Sequence, residues 1–248
     1  MAQTYADNGA GKVAGNVALV TGASRGIGRA VAEALVADGF SVALNGRDTE
    51  RLAAVTADLE SRYPGTTLAV PFDVSELAAQ QEAVAKVVER FGRLDLVVAN
   101  AGVGAFGPVD ELDEATWRRV IDTNLTGVFF TVKAAAKALK DSGGMIITIA
   151  SLAGVNFFAG GAAYNASKFG LVGFSQAAML DLREQGVRVS TILPGSVATE
   201  FNDRTVSDAD AWKIQPQDIA ETVLYLYRMP ARTLPSKVEV RPTKPRRS

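Results

Sequence analysis

The amino-acid sequence predicts an α/β fold: a single parallel sheet of about seven strands, doubly wound, with helices on both faces. Short runs rich in β-branched residues alternate with longer amphipathic stretches along most of the chain. The central runs, "LDLVVAN" and "MIITIA", are apolar without alternation, as strands buried on both faces are. The connections are short, and repeated strand–helix units joined this way imply parallel strands linked by crossovers.

The first strand, Val17–Thr21, leads through a glycine-rich turn into the helix Gly26–Asp38. Gly39 follows where a left-handed residue closes a helix. Ser41–Asn45 is the second strand, and Asp48 is placed to cap the helix Thr49–Arg62. Thr67–Phe72 is the third strand, and the helix Glu76–Phe91 after it is closed by Gly92. Leu94–Ala99 is the fourth strand, followed by a long helix over Asp113–Lys140. Then come the strand Met145–Ala150 and the helix Ala162–Gln185, closed by Gly186. Val187–Leu193 is the sixth strand. The last helix, Pro216–Met229, starts on a proline suited to its first turn, and Lys237–Val240 is the seventh strand. No linker or longer repeat divides the chain, so residues 1–248 read as one domain with flexible tails at 1–14 and 243–248.

Nearly half of the 248 residues are apolar (48%), enough for a large core. Net charge is −1 and no basic stripe runs through the body, which argues against nucleic acid as a partner. The "KPRR" cluster near the end reads as a solubilising terminus. The first residues lack the plan of a signal peptide, and no apolar run approaches the ~18 residues of a membrane span. A soluble, cytoplasmic protein without a membrane partner is expected. The chain has no cysteine and no histidine. That excludes thiolate chemistry, Ser-His-Asp triads and the commonest zinc sites, and no metal is expected. Proton transfer must use Tyr, Lys, Asp or Glu.

Glycines 22, 26 and 28 follow the first strand and open the first helix, an arrangement suited to a nucleotide pyrophosphate at a helix N-terminus. Gly22 can make the tight exit from the strand, Gly26 lets backbone approach phosphate, and Gly28 lets helix pack closely on sheet. By themselves three glycines could also be a plain tight turn. The ending G-K-[ST] of a phosphate loop for ATP or GTP is missing.

The full string "TGASRGIG" resembles the cofactor loop of the short-chain dehydrogenase/reductase family, and the resemblance runs along nearly the whole chain. Asp73 in "FDV", "NAG" at Asn100–Gly102, Asn124, Ser151, Tyr164-x-x-x-Lys168 and Pro194-Gly195-x-Val197-x-Thr199 follow in family order and spacing. The resemblance implies a Rossmann fold. It also implies cofactor contacts from Gly22, Ser24, Arg25, Gly26, Ile27 and Gly28, and from Arg47, Asp73, Val74, Asn100, Ala101 and Gly102. Tyr164, Lys168, Pro194, Gly195, Val197 and Thr199 complete that set. Asp73 would meet the adenine, the "NAG" motif would steady the central sheet, and the Pro194–Thr199 segment would hold the carboxamide. Lys168 would also hold the ribose hydroxyls, and Asn124 would anchor a water passing protons towards Lys168. The helices Asp113–Lys140 and Ala162–Gln185 would form the face of a homodimer or homotetramer.

The residues make chemical sense of that resemblance. With histidine absent, Tyr164 is the proton donor, and an unperturbed phenol has a pKa of about 10. Lys168 lies four residues on, on the same helix face, so its ammonium is expected to favour the phenolate. Ser151 ends the fifth strand at the carboxyl edge where such sheets bind ligands, and its hydroxyl would hold the substrate oxygen. Asn124 would otherwise be a poor mid-helix residue.

The second strand ends in Asn45 and Gly46, without the carboxylate that accepts the ribose hydroxyls of NAD. Arg25 and Arg47 supply two guanidiniums for the 2′-phosphate of NADP instead. The cofactor expected is therefore NADP(H), and the reaction is reduction of a small-molecule ketone or 3-oxo-acid-type carbonyl, reversible as alcohol oxidation. Phe157 and Phe158 suggest an apolar pocket wall or packing under their loop. The segment after Thr199 is short and polar for a substrate lid, which implies an open cleft, and Trp212 is placed to dock it against the body. The end "LPSKVEVRPTKP" lacks the "DGG" of many fatty-acid-type members and looks more like the sepiapterin-reductase-like and 3-hydroxy-acid dehydrogenase branch. A 3-oxoacyl carrier-protein reductase stays open, as does a non-catalytic NADP-binding protein.

Overall fold

Seven parallel strands lie in one sheet in the order β3-β2-β1-β4-β5-β6-β7. They are β1 (Val17–Val20), β2 (Ser41–Leu44), β3 (Thr67–Ala69), β4 (Leu96–Ala99), β5 (Met145–Ile149), β6 (Arg188–Pro194) and β7 (Lys237–Val240). The helices are α1 (Gly26–Ala37), α2 (Thr49–Arg62), α3 (Leu77–Phe91), α4 (Glu114–Ile121), α5 (Gly127–Ser142), α6 (Ala162–Arg183) and α7 (Pro216–Arg228). The computed structural model describes residues 15–244. The expected tail at 1–14 and residues 245–248 of the other lie outside them, while Thr243 and Lys244 are exposed.

The unbroken apolar character of the strands has a direct cause. Ala18, Val20, Val42, Leu44, Leu96, Val98, Met145 and Ile147 pack into one core with α1, α2 and α7. Their neighbours Val17, Leu19, Ala43, Val97 and Ile146 pack into a second core with α3, α5 and α6. Successive side chains point to opposite faces, so a strand covered on both sides has no polar positions to offer. Full burial of each large aliphatic side chain stabilises by roughly 1.5–3 kcal/mol.

Local chemistry sets most boundaries as expected. Asp48 Oδ1 accepts the Arg51 N–H at 2.9 Å and so caps α2. Gly39, Gly92 and Gly186 all have positive φ just past a helix. Most others fall within one or two residues of expectation, and two elements differ by more. The third strand stops at Ala69, because the Asn45 side-chain amide takes the carbonyls of Val70 (3.2 Å) and Phe72 (3.0 Å) that a strand partner would have used. The long helix expected over 113–140 is two helices joined by a π-helical turn, Asp122–Thr126. Gly127, just past that turn, packs against Val74, and Gln80 Nε2 donates to the carbonyls of both Val74 (2.6 Å) and Gly127 (3.0 Å). The widened turn carries a wholly buried Asn124. Wide turns of this kind recur where a helix must aim a side chain inward.

At the switch point between β1 and β4 the two halves of the sheet wind apart. Here Thr21 Oγ1 accepts the N–H groups of Asn100 and Ala101, both at 3.0 Å. Asn100 Nδ2 donates to the carbonyls of Thr21 (2.9 Å) and Gly22 (3.2 Å). Gly28 packs α1 onto this corner: a Cβ there would strike the Gly22 carbonyl and lie 2.6 Å from Asn100 Nδ2. A Cβ on Gly173, in α6, would meet nothing within 4 Å. We predict that Gly28→Ala lowers the unfolding free energy by about 1–3 kcal/mol, since backbone cannot yield, despite the ~1 kcal/mol helix-propensity gain of alanine. Gly173→Ala should raise it. Urea unfolding of the two variants measures both.

Candidate active site

A cleft of about 1320 Å³ opens along the carboxyl ends of the strands, where an open α/β sheet binds ligands. Single small-molecule pockets run to about 1,000 Å³, so this one has room for a dinucleotide and a substrate together. Its floor is the glycine turn. Gly22 and Gly26 both have positive φ, +65° and +55°. A Cβ on Gly26 would crowd the Thr199 methyl at 3.3 Å, so the turn also lies close to the segment after β6. Arg25 at the start of α1 makes no side-chain cap, and no acidic residue stands in the first turn. The first amides and the positive end of the helix dipole are thus left for an anion.

Of the residues expected to contact a cofactor, Gly22, Ser24, Arg25, Gly26, Ile27, Arg47, Val74 and Asn100–Gly102 line the cleft. So do Tyr164, Lys168, Pro194, Gly195, Val197 and Thr199. Gly28 stands behind the turn as a packing residue. Asp73 is not on the wall, where its neighbours Phe72 and Val74 are. Its Oδ1 accepts the N–H (2.9 Å) and hydroxyl (2.7 Å) of Ser75, and its Oδ2 faces Arg47 at 3.5 Å. Burial pushes the Asp73 carboxyl up, but those bonds and the Arg47 cation outweigh it and hold it below the usual range.

Three guanidiniums, Arg25, Arg47 and Arg51, line the glycine-turn end of the cleft, one more than expected. Arg51, in the first turn of α2, is not among the expected contacts; its place one turn past the Asp48 cap, close after Arg47, was the available signal. Arg25 Nη1 and Arg51 Nη1 both point at one oxygen, Glu200 Oε2, at 3.9 and 3.4 Å. Arg25 also faces Asp203 at 3.5 Å. The pair therefore already converges on a single anionic atom, while Arg47 is turned to Asp73.

Ser151, Tyr164 and Lys168 come together at the other end. Ser151 stands in extended backbone after β5, and its Oγ accepts the Ala153 N–H at 3.1 Å. Tyr164 and Lys168 share a face of α6, with the Lys168 Nζ 5.8 Å from the centre of the Tyr164 ring. The expected effect of Lys168 on the phenol does not appear among these groups. Burial raises the Tyr164 phenol above its ordinary value, and only a hydrogen bond with Ser151 opposes it. Lys168 is itself wholly enclosed, so burial lowers its ammonium to about 8, and its Nζ donates to the Ile149 carbonyl at 3.0 Å.

Asn124 lies behind Lys168. Its Oδ1 accepts the Val103 N–H (2.8 Å), and its Nδ2 donates to the Val103 carbonyl (2.9 Å) and Ser167 Oγ (3.0 Å). The side chain thus ties the loop after β4 to α6, and both amide donors are taken. Gly102 keeps this corner open: a Cβ there would lie 3.3 Å from Asn124 Oδ1 and 3.7 Å from Lys168 Nζ. Phe157 and Phe158 line the cleft and are exposed, which decides for a wall and against packing under the loop. Phe106 and Phe201, also on the wall beside Tyr164, were missed. The segment after β6 is docked by buried Ile214, which exchanges backbone bonds with Ser196 and Ala198; Trp212 itself lies half-buried on the cleft wall.

Known proteins show the same plan. Residues 16–210 match the family model described as short chain dehydrogenase. A 3-oxoacyl-[acyl-carrier-protein] reductase of Synechocystis sp. is 36% identical over 223 residues, 87% of this chain and 90% of that protein. Trans-4-hydroxycyclohexanecarboxylate dehydrogenase of Sinomonas cyclohexanicum is 38% identical over 193 residues, 76% of this chain and 74% of its own length. The structure of an alcohol dehydrogenase from the archaeon Thermococcus sibiricus, complexed with 5-hydroxy-NADP, superposes with a TM-score of 0.88 at 32% identity, covering 94% of this chain and 99% of that one.

The depressed Lys168 makes stability depend on pH. Between about 8 and the ordinary lysine value of 10.5 the unfolded chain binds more protons at this site than the folded one. Stability gained from this site therefore grows as pH rises through 8 and is lost as pH falls below it. The raised Tyr164 acts in the opposite sense, but only above about 10. We predict that the stability difference between the parent chain and Lys168→Met shifts in favour of the parent from pH 8 to pH 10, read from urea midpoints.

Proposed function

The chain belongs to the short chain dehydrogenase family of nicotinamide-dependent oxidoreductases, and we propose that it is an NADPH-dependent reductase of a ketone or 3-oxo-acid-type carbonyl. The observation that carries this reading is the joint placement of Ser151, Tyr164 and Lys168 in one cleft with a glycine turn able to cradle a dinucleotide.

The fit of the cofactor rests on that turn. Two left-handed glycines expose uncapped amides, and Arg25 and Arg51 converge where a phosphate could replace the Glu200 carboxylate. Arg47 stands nearby as a third cation. Ser24 and Ile27 would flank the pyrophosphate, Val74 and the Asn100–Gly102 backbone the adenine side, and Pro194, Gly195, Val197 and Thr199 the nicotinamide side. When bound, the reduced nicotinamide supplies the hydride that forms the new C–H bond.

The chain's own residues do the rest. Ser151 Oγ and the Tyr164 hydroxyl hold the carbonyl oxygen as negative charge develops on it. As the C=O π bond breaks, Tyr164 gives its proton to that oxygen, leaving a secondary alcohol. The raised pKa of the phenol keeps it protonated at neutral pH, as a proton donor must be. Lys168, mostly ammonium at pH 7 with its pKa of about 8, is held by the Ile149 carbonyl and would hold the ribose hydroxyls of the bound cofactor. Asn124 positions the loop and helix that carry this pair. Phe129, Phe169 and Leu180, exposed on α5 and α6, support a homodimer or homotetramer built on those helices. A single domain spanning the chain and a cytoplasmic setting complete the reading.

Replacing Tyr164 by Phe should abolish NADPH oxidation with carbonyl substrates while NADPH still binds in a fluorescence titration; unchanged turnover would remove Tyr164 from the mechanism. Arg51→Ala and Arg25→Ala should each weaken NADP binding by roughly 10- to 100-fold, the range for a lost charge-assisted hydrogen bond, and leave NAD binding near its parent value. Glu200→Gln, which removes the competing carboxylate, should tighten NADP binding.

A further inference from the structure

Four phenylalanines from three separate segments line the cleft on the side of Tyr164. Phe106 and Phe201 pack on its ring, Phe158 packs on Phe106, and Phe157 stands exposed on the same wall. Phe106 comes from the loop after β4, Phe157 and Phe158 from the connection between β5 and α6, and Phe201 from the segment after β6. The Phe106 and Phe201 rings lie 5.4 and 5.9 Å from that of Tyr164, and Phe106 lies 6.0 Å from Phe158. These are the separations at which aromatic rings attract one another edge-on or tilted.

The chain makes room for them. A Cβ on Gly104 would stand 2.8 Å from the Phe201 ring and 3.0 Å from that of Phe106. One on Gly161 would stand 2.6 Å from the Phe158 ring. Yet the rings are not core: Phe157 is 84% exposed, and Phe106 and Phe158 are each about half exposed. Apolar rings gathered in water beside the proton donor, rather than scattered, mark a surface that gains by being covered.

Two cations of the cleft wall are already paired: Lys213 with Asp210 at 2.6 Å and Arg241 with Glu239 at 2.8 Å. A substrate carboxylate would have to displace Asp210 or Glu239 to reach them. An apolar substrate would displace neither.

Resting on the reductase reading above, we infer that the substrate carbonyl belongs to a bulky, flat, apolar ring system, an aryl or alicyclic ketone. The ring system lies among Phe106, Phe157, Phe158 and Phe201 with its oxygen on Tyr164 and Ser151. Hydride addition to the carbonyl carbon and proton transfer from Tyr164 yield the ring alcohol, and the reduced nicotinamide is oxidised. Short 3-oxo acids and carrier-borne acyl thioesters leave most of this surface wet.

The test follows NADPH consumption by the full chain with 1-tetralone, acetoacetate and acetoacetyl-acyl carrier protein. The expected kcat/KM for 1-tetralone exceeds both others by roughly 10- to 100-fold, the gain from burying one aromatic ring system. Phe157→Ala, whose ring faces solvent so that folding does not depend on it, should lower the tetralone-to-acetoacetate ratio by roughly 2- to 10-fold, chiefly through KM. An advantage for 1-tetralone below roughly tenfold, or a ratio unmoved by Phe157→Ala, overturns the inference while leaving the reductase intact. Consumption with none of the three overturns the reductase reading and this inference with it.

Discussion

The crevice at the carboxyl ends of β1 and β4, two hydrogen-bonded neighbours, is the constraint on which the molecule turns. On one side of it the crossovers carry the chain out to β3, and on the other they carry it out to β7, so no helix covers the carboxyl ends there. Four hydrogen bonds close its base, two from Asn100 to Thr21, one from Asn100 to the Gly22 carbonyl and one from Ala101 to Thr21. The same Asn100 amide holds the Gly22 carbonyl, and so the glycine turn inherits its position from the sheet. The cleft is what remains once two windings diverge from one pinned corner.

Burial then decides how the acid and base at the far end behave. A phenol and an ammonium removed from water both resist their charged forms, so the Tyr164 pKa rises while that of Lys168 falls. Sequence spacing alone suggests a cation lowering the phenol. In the folded chain, desolvation is the larger effect and the ammonium is occupied by the Ile149 carbonyl. The outcome still suits reduction, because a donor that holds its proton at neutral pH is ready to give it only when charge builds on a neighbouring oxygen.

At the glycine-turn end, charge is balanced across the cleft rather than along one wall. Glu200 and Asp203, from the segment after β6, face Arg25 and Arg51 from the glycine turn and α2. These pairs are partly exposed and individually weak, so an anion of higher charge can replace them. They also hold the segment after β6 against the glycine turn, with Thr199 beside Gly26 as the apolar half of that contact.

Much of this was legible in the sequence, for a physical reason. Strand and helix identity follow from apolar periodicity and local turn chemistry, which act over a few residues: the Asp48 cap, the closing glycines and the double-faced strands all read correctly. The residue types at Ser151, Tyr164 and Lys168, with histidine and cysteine absent, determined which chemistry was available. What only the tertiary structure decided are the partnerships between distant residues. Arg51 meets Glu200 across 149 positions, and Asn124 binds Ser167 across 43 from a π-helical turn that no local pattern announces. Phe106 and Phe201 meet at Tyr164 from loops that show no periodicity at all. Such contacts depend on where the sheet delivers each loop, and loop delivery is a property of the assembled winding rather than of any segment within it.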